Sequence, residues 1–536
     1  MGDPLRLLEK TSTSVASPNR CTHVCRWMTT LGLLTILATG FARTAESGEW
    51  QIIGSRYHGM GGAGVAVVDD SLSLYWNPGA LAFAEGRDFK LPFGVSVVAE
   101  GDIMTEIDEL DLFARDLLTL RNKVRNGEPL STSDKETLLQ LVGRDIPLFR
   151  EDDEAFLAGT YAALLGRTGR FAFGVLANGE AVILPVLDNV NLGLSGAPTP
   201  AARIADFVGP GADRSAQLTA SGQMLADVIA DDFRAFTNTG LEQDQAEEFV
   251  FLAESAGLIT SNGSVRAGLR QSAQATASSP SSLVSENISG AAAVTLVTAE
   301  TTLAYGHPFF EKVGIGAAIR YIYGNTFVDY TTFYEVDSVR ELIKETLEFN
   351  NRQDGHDFGI DVGVLVKPFD WLRIGIVARN LNEPEFKVKV PGEIRTELRD
   401  AGVKLNRFVI DRQARLGVAI DVVPWWTLAL DIDLTKNKSE FVTDFESRLL
   451  SFGTEVRMAY RWFSLALRGG AFMNIGADQN QAPTITGGFG LGFGNFTLDF
   501  AGSIATERDR FESIGTNDHF PIRVGFAGEL GYRITF

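Results

Sequence analysis

From residue 89 onward the chain repeats one pattern: runs of about ten residues in which apolar and polar side chains alternate. It is clearest over residues 522–536. There Ile522, Val524, Phe526, Leu530, Tyr532, Ile534 and Phe536 hold the even positions, while Arg523, Gly525, Ala527, Glu529, Gly531, Arg533 and Thr535 hold the odd ones. A β-strand sends successive side chains to opposite faces, so this segment has one oily and one wet face. It is longer than the roughly 5–6 residues of an ordinary strand and long enough for the roughly 9–11 of a tilted membrane-crossing strand. An edge strand of a soluble sandwich is the competing reading, and the sibling segments weigh against it. The same alternation predicts strands over 89–99, 156–165, 170–178, 294–305, 312–323, 358–366, 372–379, 413–422, 426–435, 449–459, 462–472, 484–492 and 496–504. Short links alternate with long ones, as the periplasmic turns and external loops of a membrane barrel do. The expected fold is therefore all-β: a transmembrane antiparallel barrel over 87–536 of about fourteen strands. An even count returns both ends to the same, periplasmic side.

Three stretches break the rhythm. Leucines and a phenylalanine at helical spacing (Leu110, Phe113, Leu117, Leu120) predict helices over 107–124 and 135–148. Helical extracellular insertions are expected at 102–153, 180–292 and 335–352. Residues 43–86 form a separate block, with a glycine-rich lead (Gly59, Gly61, Gly62, Gly64), then Asp69-Asp70-Ser71, then the turn Asn77-Pro78-Gly79. Its glycines lack the Lys-Ser or Lys-Thr that a phosphate cradle requires, so they are read as permitting tight backbone turns. Ahead of it, Arg20 and Arg26 flank an apolar run ending in Gly40-Phe41-Ala42, which reads as a secretory signal peptide over 1–42, with Ala45 as the second cleavage point and Met28 as an alternative start.

The block at 43–86 resembles the N-terminal hatch of the long-chain fatty acid transporter (FadL-type) superfamily of outer-membrane barrels, in which a small plug carrying an Asn-Pro-Ala turn sits inside the barrel. Gly79 replaces the alanine here. The runs from Ile360 through Lys367-Pro368 to Trp371-Leu372-Arg373, from Arg379-Asn380-Leu381-Asn382 to Phe386, and from Gln413-Ala414-Arg415 to Asp433 are similar to the branch of conjugal-transfer TraF-type proteins, relatives also of the PorV-type secretion barrels. The resemblance implies fourteen strands, a plug built on Asp69, Asp70, Asn77, Pro78 and Gly79, and passage of a fatty-acid-like hydrophobic molecule across the outer membrane. The alternative it implies is a non-transporting scaffold for secreted or surface proteins, PorV-like or conjugal-transfer-associated. It further implies that Tyr532 and Phe536 form the signal read by the barrel-assembly machinery.

The formal net charge of −20 disfavours nucleic acid as a partner, since phosphate binding needs a basic face. Cys21 and Cys25, the chain's two cysteines, both lie in the leader, so the mature chain is expected to have no disulfide and no thiolate metal site. The other histidines, His58, His307, His356 and His519, show no metal-ligand spacing and are placed in the hatch and in connections. No G-x-S-x-G elbow occurs. Neither catalysis nor a cofactor or metal is expected. Alternation puts Arg320, Asp361, Arg373, Arg379, Arg415, Asp431, Asp433, Arg468, Asp499, Arg523, Glu529 and Arg533 on the lumen face, because an Arg or Lys at the lipid midplane costs roughly 2–4 kcal/mol. They are expected to pair with one another and hold the hatch, with ligand contact as the second role. Asp69 and Asp70 are expected to find Arg373, Arg379, Arg415 or Arg523. Lipid, the assembly machinery and a hydrophobic ligand are the expected partners, with Trp371, Trp425, Trp426 and Trp462 at the interface.

Overall fold

The computed structural model describes residues 49–100, 119–120, 122–123, 126–140, 155–186, 207–237, 242–257, 290–332, 351–390, 392, 395, 407–438, 446–476, 482–511 and 518–534. The leader, Phe536 and most of the 335–352 insertion lie outside them.

Among the described residues there are twenty strands, fourteen of which close a barrel in chain order. They are β1 (Arg87–Glu100), β2 (Ala155–Thr168), β3 (Phe171–Val186), β4 (Gly290–Phe309), β5 (Val313–Thr332), β6 (Gln353–Phe369) and β7 (Leu372–Arg379), then β10 (Gln413–Val423), β11 (Trp426–Asp433), β14 (Leu449–Tyr460), β15 (Phe463–Asn474), β16 (Thr484–Phe493), β17 (Phe496–Ala505) and β20 (Arg523–Ile534). Every neighbouring pair is antiparallel, and β1 pairs with β20 from Arg87 opposite Ile534 to Val98 opposite Arg523, which leaves no open edge. The remaining strands form three two-stranded ribbons: β8 (Glu385–Lys387) with β9 (Arg407–Val409), β12 (Asn437–Lys438) with β13 (Glu446–Ser447), and β18 (Arg508–Phe511) with β19 (Asp518–Pro521).

The pleat sorts the side chains. On β1, Phe89, Leu91, Phe93, Val95 and Val97 are 45–48 % exposed, while Asp88 and Lys90 between them are buried. The outward row is the lipid face and the lumen takes the charges. Trp371, Trp425 and Trp462 are exposed at short turns, and Trp371 stacks on Phe369 at 5.4 Å, as in an interfacial aromatic girdle. Both barrel ends meet this short-turn rim: Gly169 N donates to Gly86 O beside the start of β1, and Arg533 N donates to Asn495 O near the end of β20.

Several strands outrun the alternation. β4 has twenty residues, and its first seven are all buried, so no in-out rhythm marks them. β3 likewise runs on to Val186, which takes the start of the expected 180–292 insertion into the wall. His307 and His356 consequently lie on β4 and β6, not in connections; the tight turn after β4 is made by Phe310 and Glu311 at positive φ. Among the described residues, helices α3 (Thr132–Gln140), α4 (Ala220–Thr237) and α5 (Gln243–Ser255) lie in the insertions, the last two packed together. These follow the hatch helices α1 (Ser55–Gly59) and α2 (Ser73–Trp76) and a 3-10 turn at Pro78–Phe83.

Candidate functional site: the lumen plug and an adjoining chamber

The hatch folds around its own aromatic residues. Trp76 packs against Tyr57, Tyr75 and Trp50 with ring centres 5.1–6.2 Å apart. Its indole N–H donates to Ile53 O at 2.9 Å, and the Tyr75 hydroxyl donates to Gln51 O at 2.7 Å. A β-carbon on Gly64 would sit 2.4 Å from the Trp76 ring, so the glycine is the clearance that lets this knot close. Asn77 caps the 3-10 turn, its Oδ1 accepting from Gly79 N at 3.0 Å. Its Nδ2 lies 3.1 Å from both Val65 O and Val364 O, tying plug to wall across 287 residues.

The seat is built at backbone distance. A β-carbon on Gly79 would come within 2.7 Å of Gly363 O and 2.9 Å of Gly314 O, so an alanine here has nowhere to go. On the wall side, Gly316 and Gly363 face Pro78 and Asn77 as closely, and Gly453 faces Met60. Inward glycines on successive strands thus admit the hatch main chain against the wall.

Charge fixes the orientation. Arg56 meets Glu455 in a two-pronged pair (3.0 and 3.1 Å) and Asp69 at 2.7 Å. Glu455 also holds Arg468, which reaches Asp499 at 2.6 Å. Asp431 Oδ2 accepts from Gly64 N and Val65 N (2.8 and 2.9 Å), and Arg415, paired with Asp433 at 2.5 Å, donates to Gly62 O. Asp70 pairs with Lys90 at 2.8 Å, and Lys90 also contacts Glu529. His58 lies 2.9 Å from Ser503 Oγ. Burial pushes its imidazole down to about 4. Burial alone would raise the Asp69 carboxyl, but Arg56 and Arg533 outweigh it and hold it well below the usual carboxylate range.

The expected partners of Asp69 and Asp70 are corrected here. Arg373, Arg379, Arg415 and Arg523 are engaged elsewhere, with Asp421, Asp361, Asp433 and Glu49 respectively. The two aspartates meet Arg56 and Lys90 instead, with Arg533 3.8 Å and Arg457 3.9 Å from Asp69. Of these, Arg533 is among the lumen charges expected to hold the hatch, whereas Arg56, Lys90 and Arg457 are not, although Lys90 stands at an inward position of its alternating strand. Arg320 belongs to another group: it pairs with Glu300 and Asp361 at 2.7 and 2.9 Å and contacts Asn380. Tyr532 sits on the lipid side of β20 with its ring 4.9 Å from Phe496.

The second filling of the lumen is the β8–β9 ribbon. Phe386 lies in a notch left by Gly324 and Gly355, within an apolar cluster including Val294, Leu296, Ile322 and Phe408. Backbone bonds support it: Thr326 Oγ1 donates to Lys387 O, and Glu385 N donates to Asp357. Between hatch and ribbon lies a chamber of about 170 Å³. The hatch contributes Trp50 and Tyr75, the ribbon side Phe408 and Ile410, and the wall Leu157, Leu176, Leu296, Glu180, Arg320 and Arg379.

Three solved structures are among those similar to the chain: the Pseudomonas putida toluene transporter TodX (12 % identity, 90 % of this chain and 98 % of that one, TM-score 0.40), the Ralstonia pickettii toluene transporter TbuX (12 %, 90 % and 98 %, 0.41) and a Pseudomonas aeruginosa FadL homologue (11 %, 91 % and 100 %, 0.40). No curated protein sequence matches the chain. Over residues 211–433, which run from the helical insertion through β11, the chain matches the family described as "F plasmid transfer operon, TraF, protein".

Proposed function

We infer that this is an outer-membrane barrel that passes a hydrophobic small molecule through a lumen held shut by its N-terminal hatch. The observation that carries the reading is the chamber between hatch and ribbon: it lies inside a closed barrel, is lined by both apolar and polar side chains, and adjoins a plug that is separate in sequence from the wall. A barrel meant only as a rigid platform has no need of a chamber against its plug. The outward apolar rows supply the lipid partner, and the assembly machinery is the partner expected of any such barrel. The second reading, a scaffold for secreted or surface proteins, draws on the plasmid-transfer family match and on the helical insertion carrying α4 and α5.

Proteoliposomes containing the full chain test the first reading. Labelled hydrophobic solutes, a fatty acid and a single-ring alcohol, are expected to enter faster than into protein-free vesicles, while a polar solute of similar size does not. Equal entry of all three with and without protein would leave the scaffold reading.

A further inference from the structure

We propose that the turn between β14 and β15 binds the phosphate of an anionic phospholipid in the periplasmic leaflet, with Arg461 holding the phosphate and Tyr460 and Trp462 flanking it. The site lies on the outer rim of the barrel and is independent of what the lumen passes.

Arg461 stands where the backbone favours glycine. Among the described residues, three barrel hairpins close with two-residue turns of the same form: Thr168 pairs with Phe171, Tyr460 with Phe463, and Phe493 with Phe496. The first turn residue lies at φ 55, 56 and 61 in the three, and it is Gly169, Arg461 and Gly494 respectively. Such turns ordinarily give this left-handed position to glycine, asparagine or aspartate, because a β-carbon crowds the main chain there. A β-carbon on Gly169 or Gly494 would meet nothing within 4 Å, so the preference comes from the backbone itself and applies equally to Arg461. An arginine kept against that preference points to a role for its side chain.

The guanidinium has no internal counterion. Among the described residues Arg461 forms no hydrogen bond or ion pair, and it lies over the Tyr460 ring at 5.5 Å. Arg457, the nearest basic residue on β14, is taken by Glu455 at 2.5 Å on the lumen side. The turns on either side, Pro424-Trp425 and Gly494-Asn495, carry no charge, whereas Glu311 and Asp370 stand in other short turns of the rim. This sector of the rim therefore presents one uncompensated cation.

Its neighbours decide the kind of anion. Tyr460 and Trp462, 71 % and 66 % exposed, are the most exposed large apolar side chains among the described residues. Tyr460 continues the lipid-facing row of Phe452 and Met458, and the Trp462 ring lies 6.1 Å from that of Phe493 on the same outer face. Amphipathic rings of this kind rest at headgroup level, which sets the guanidinium between them at the depth of the lipid phosphates. Its planar fork of donors matches two phosphate oxygens at once. A zwitterionic lipid would bring a second cation to the same spot. An acidic periplasmic protein would have to draw both rings out of the interface. An anionic lipid meets neither difficulty.

Native mass spectrometry of the detergent-solubilised full chain, offered phosphatidylglycerol and phosphatidylcholine of equal acyl length, tests the assignment. Phosphatidylglycerol is expected to be retained about 10-fold more strongly, the value of one hydrogen bond to a charged group. Arg461→Gly removes the cation and supplies the residue that the turn favours. The variant should therefore assemble, keep its unheated gel mobility, melt no lower than the unaltered chain, and lose the preference several-fold. Free glycerol phosphate in large excess is expected to leave the bound lipid in place. Equal retention of the two lipids by the unaltered chain, or an undiminished preference in the assembled variant, would overturn the assignment. Displacement of the lipid by glycerol phosphate would overturn it too, since the site would then take a free anion.

Discussion

The two fillings of the lumen are held by different physics. The hatch is seated by charge and by backbone contact: Arg56, Asp70 and the Gly64 amide end on the wall side chains Glu455, Lys90 and Asp431, Asp69 holds Arg56 from within the hatch, and Gly79 rests against main-chain carbonyls of β5 and β6. The ribbon is seated by apolar packing, with Phe386 pressed into a two-glycine notch, and by hydrogen bonds at Thr326 and Asp357. A buried ion pair is costly to break, since losing one partner strands the other in a poorly solvated site. An apolar contact loses energy in proportion to the surface uncovered. The hatch should therefore behave as an all-or-none seal and the ribbon as a graded one, and substitutions in each can break that contrast.

The largest effect is expected from Gly363→Leu. A β-carbon at this position already comes within 2.2 Å of Asn77 Oδ1, and a leucine cannot share the site with the hatch. Planar-bilayer conductance should rise to that of an open pore while the barrel still assembles. Glu455→Ala should follow. It leaves Arg56, Arg457 and Arg468 without their shared carboxylate, a loss on the order of 3–5 kcal/mol, and should make the hatch accessible to trypsin in the folded barrel.

Acid gives an intermediate effect through His58. Its docked value, about 4, lies below the ordinary 6.5, so the undocked hatch binds the proton first. Seating is complete above pH 6.5 and weakens as pH falls toward 4, by up to roughly 3 kcal/mol. Hatch protease sensitivity should rise through that window in the full chain, and His58→Gln should flatten the rise. Phe386→Ala should have the smallest effect on conductance. It costs roughly 3–5 kcal/mol of local packing, yet the hatch still closes the pore, so the change should be visible in hydrogen exchange of β8 and β9 and barely in current.

The same contrast explains what the chain disclosed in advance. Wall strands are legible because lipid and lumen impose opposite demands on successive residues, as Leu416, Val418 and Ile420 against Arg415 and Asp421 illustrate. The early part of β4 was missed because Ala291, Ala292 and Ala293 are all buried, and alternation vanishes where both faces are covered. How the charges pair was not legible. Arg56 and Glu455 are 399 positions apart, and nothing local distinguishes Glu455 from Glu529 as its partner. The hatch turn at Asn77-Pro78-Gly79 was readable as a turn, whereas the lack of room at Gly79 depends on carbonyls of two distant strands. The ribbon left no clear sign, for three-residue strands carry too few positions to show a period.

The central claim, that the segment from Gly54 to Phe83 closes the lumen, is tested most directly by deleting that segment and recording single-channel conductance beside the full chain. The fourteen strands carry their own pairing, so the shortened chain should still assemble and migrate as a heat-sensitive barrel. It should then pass a large, steady ion current where the full chain passes little. An assembled deletion barrel whose conductance equals that of the full chain would contradict the account.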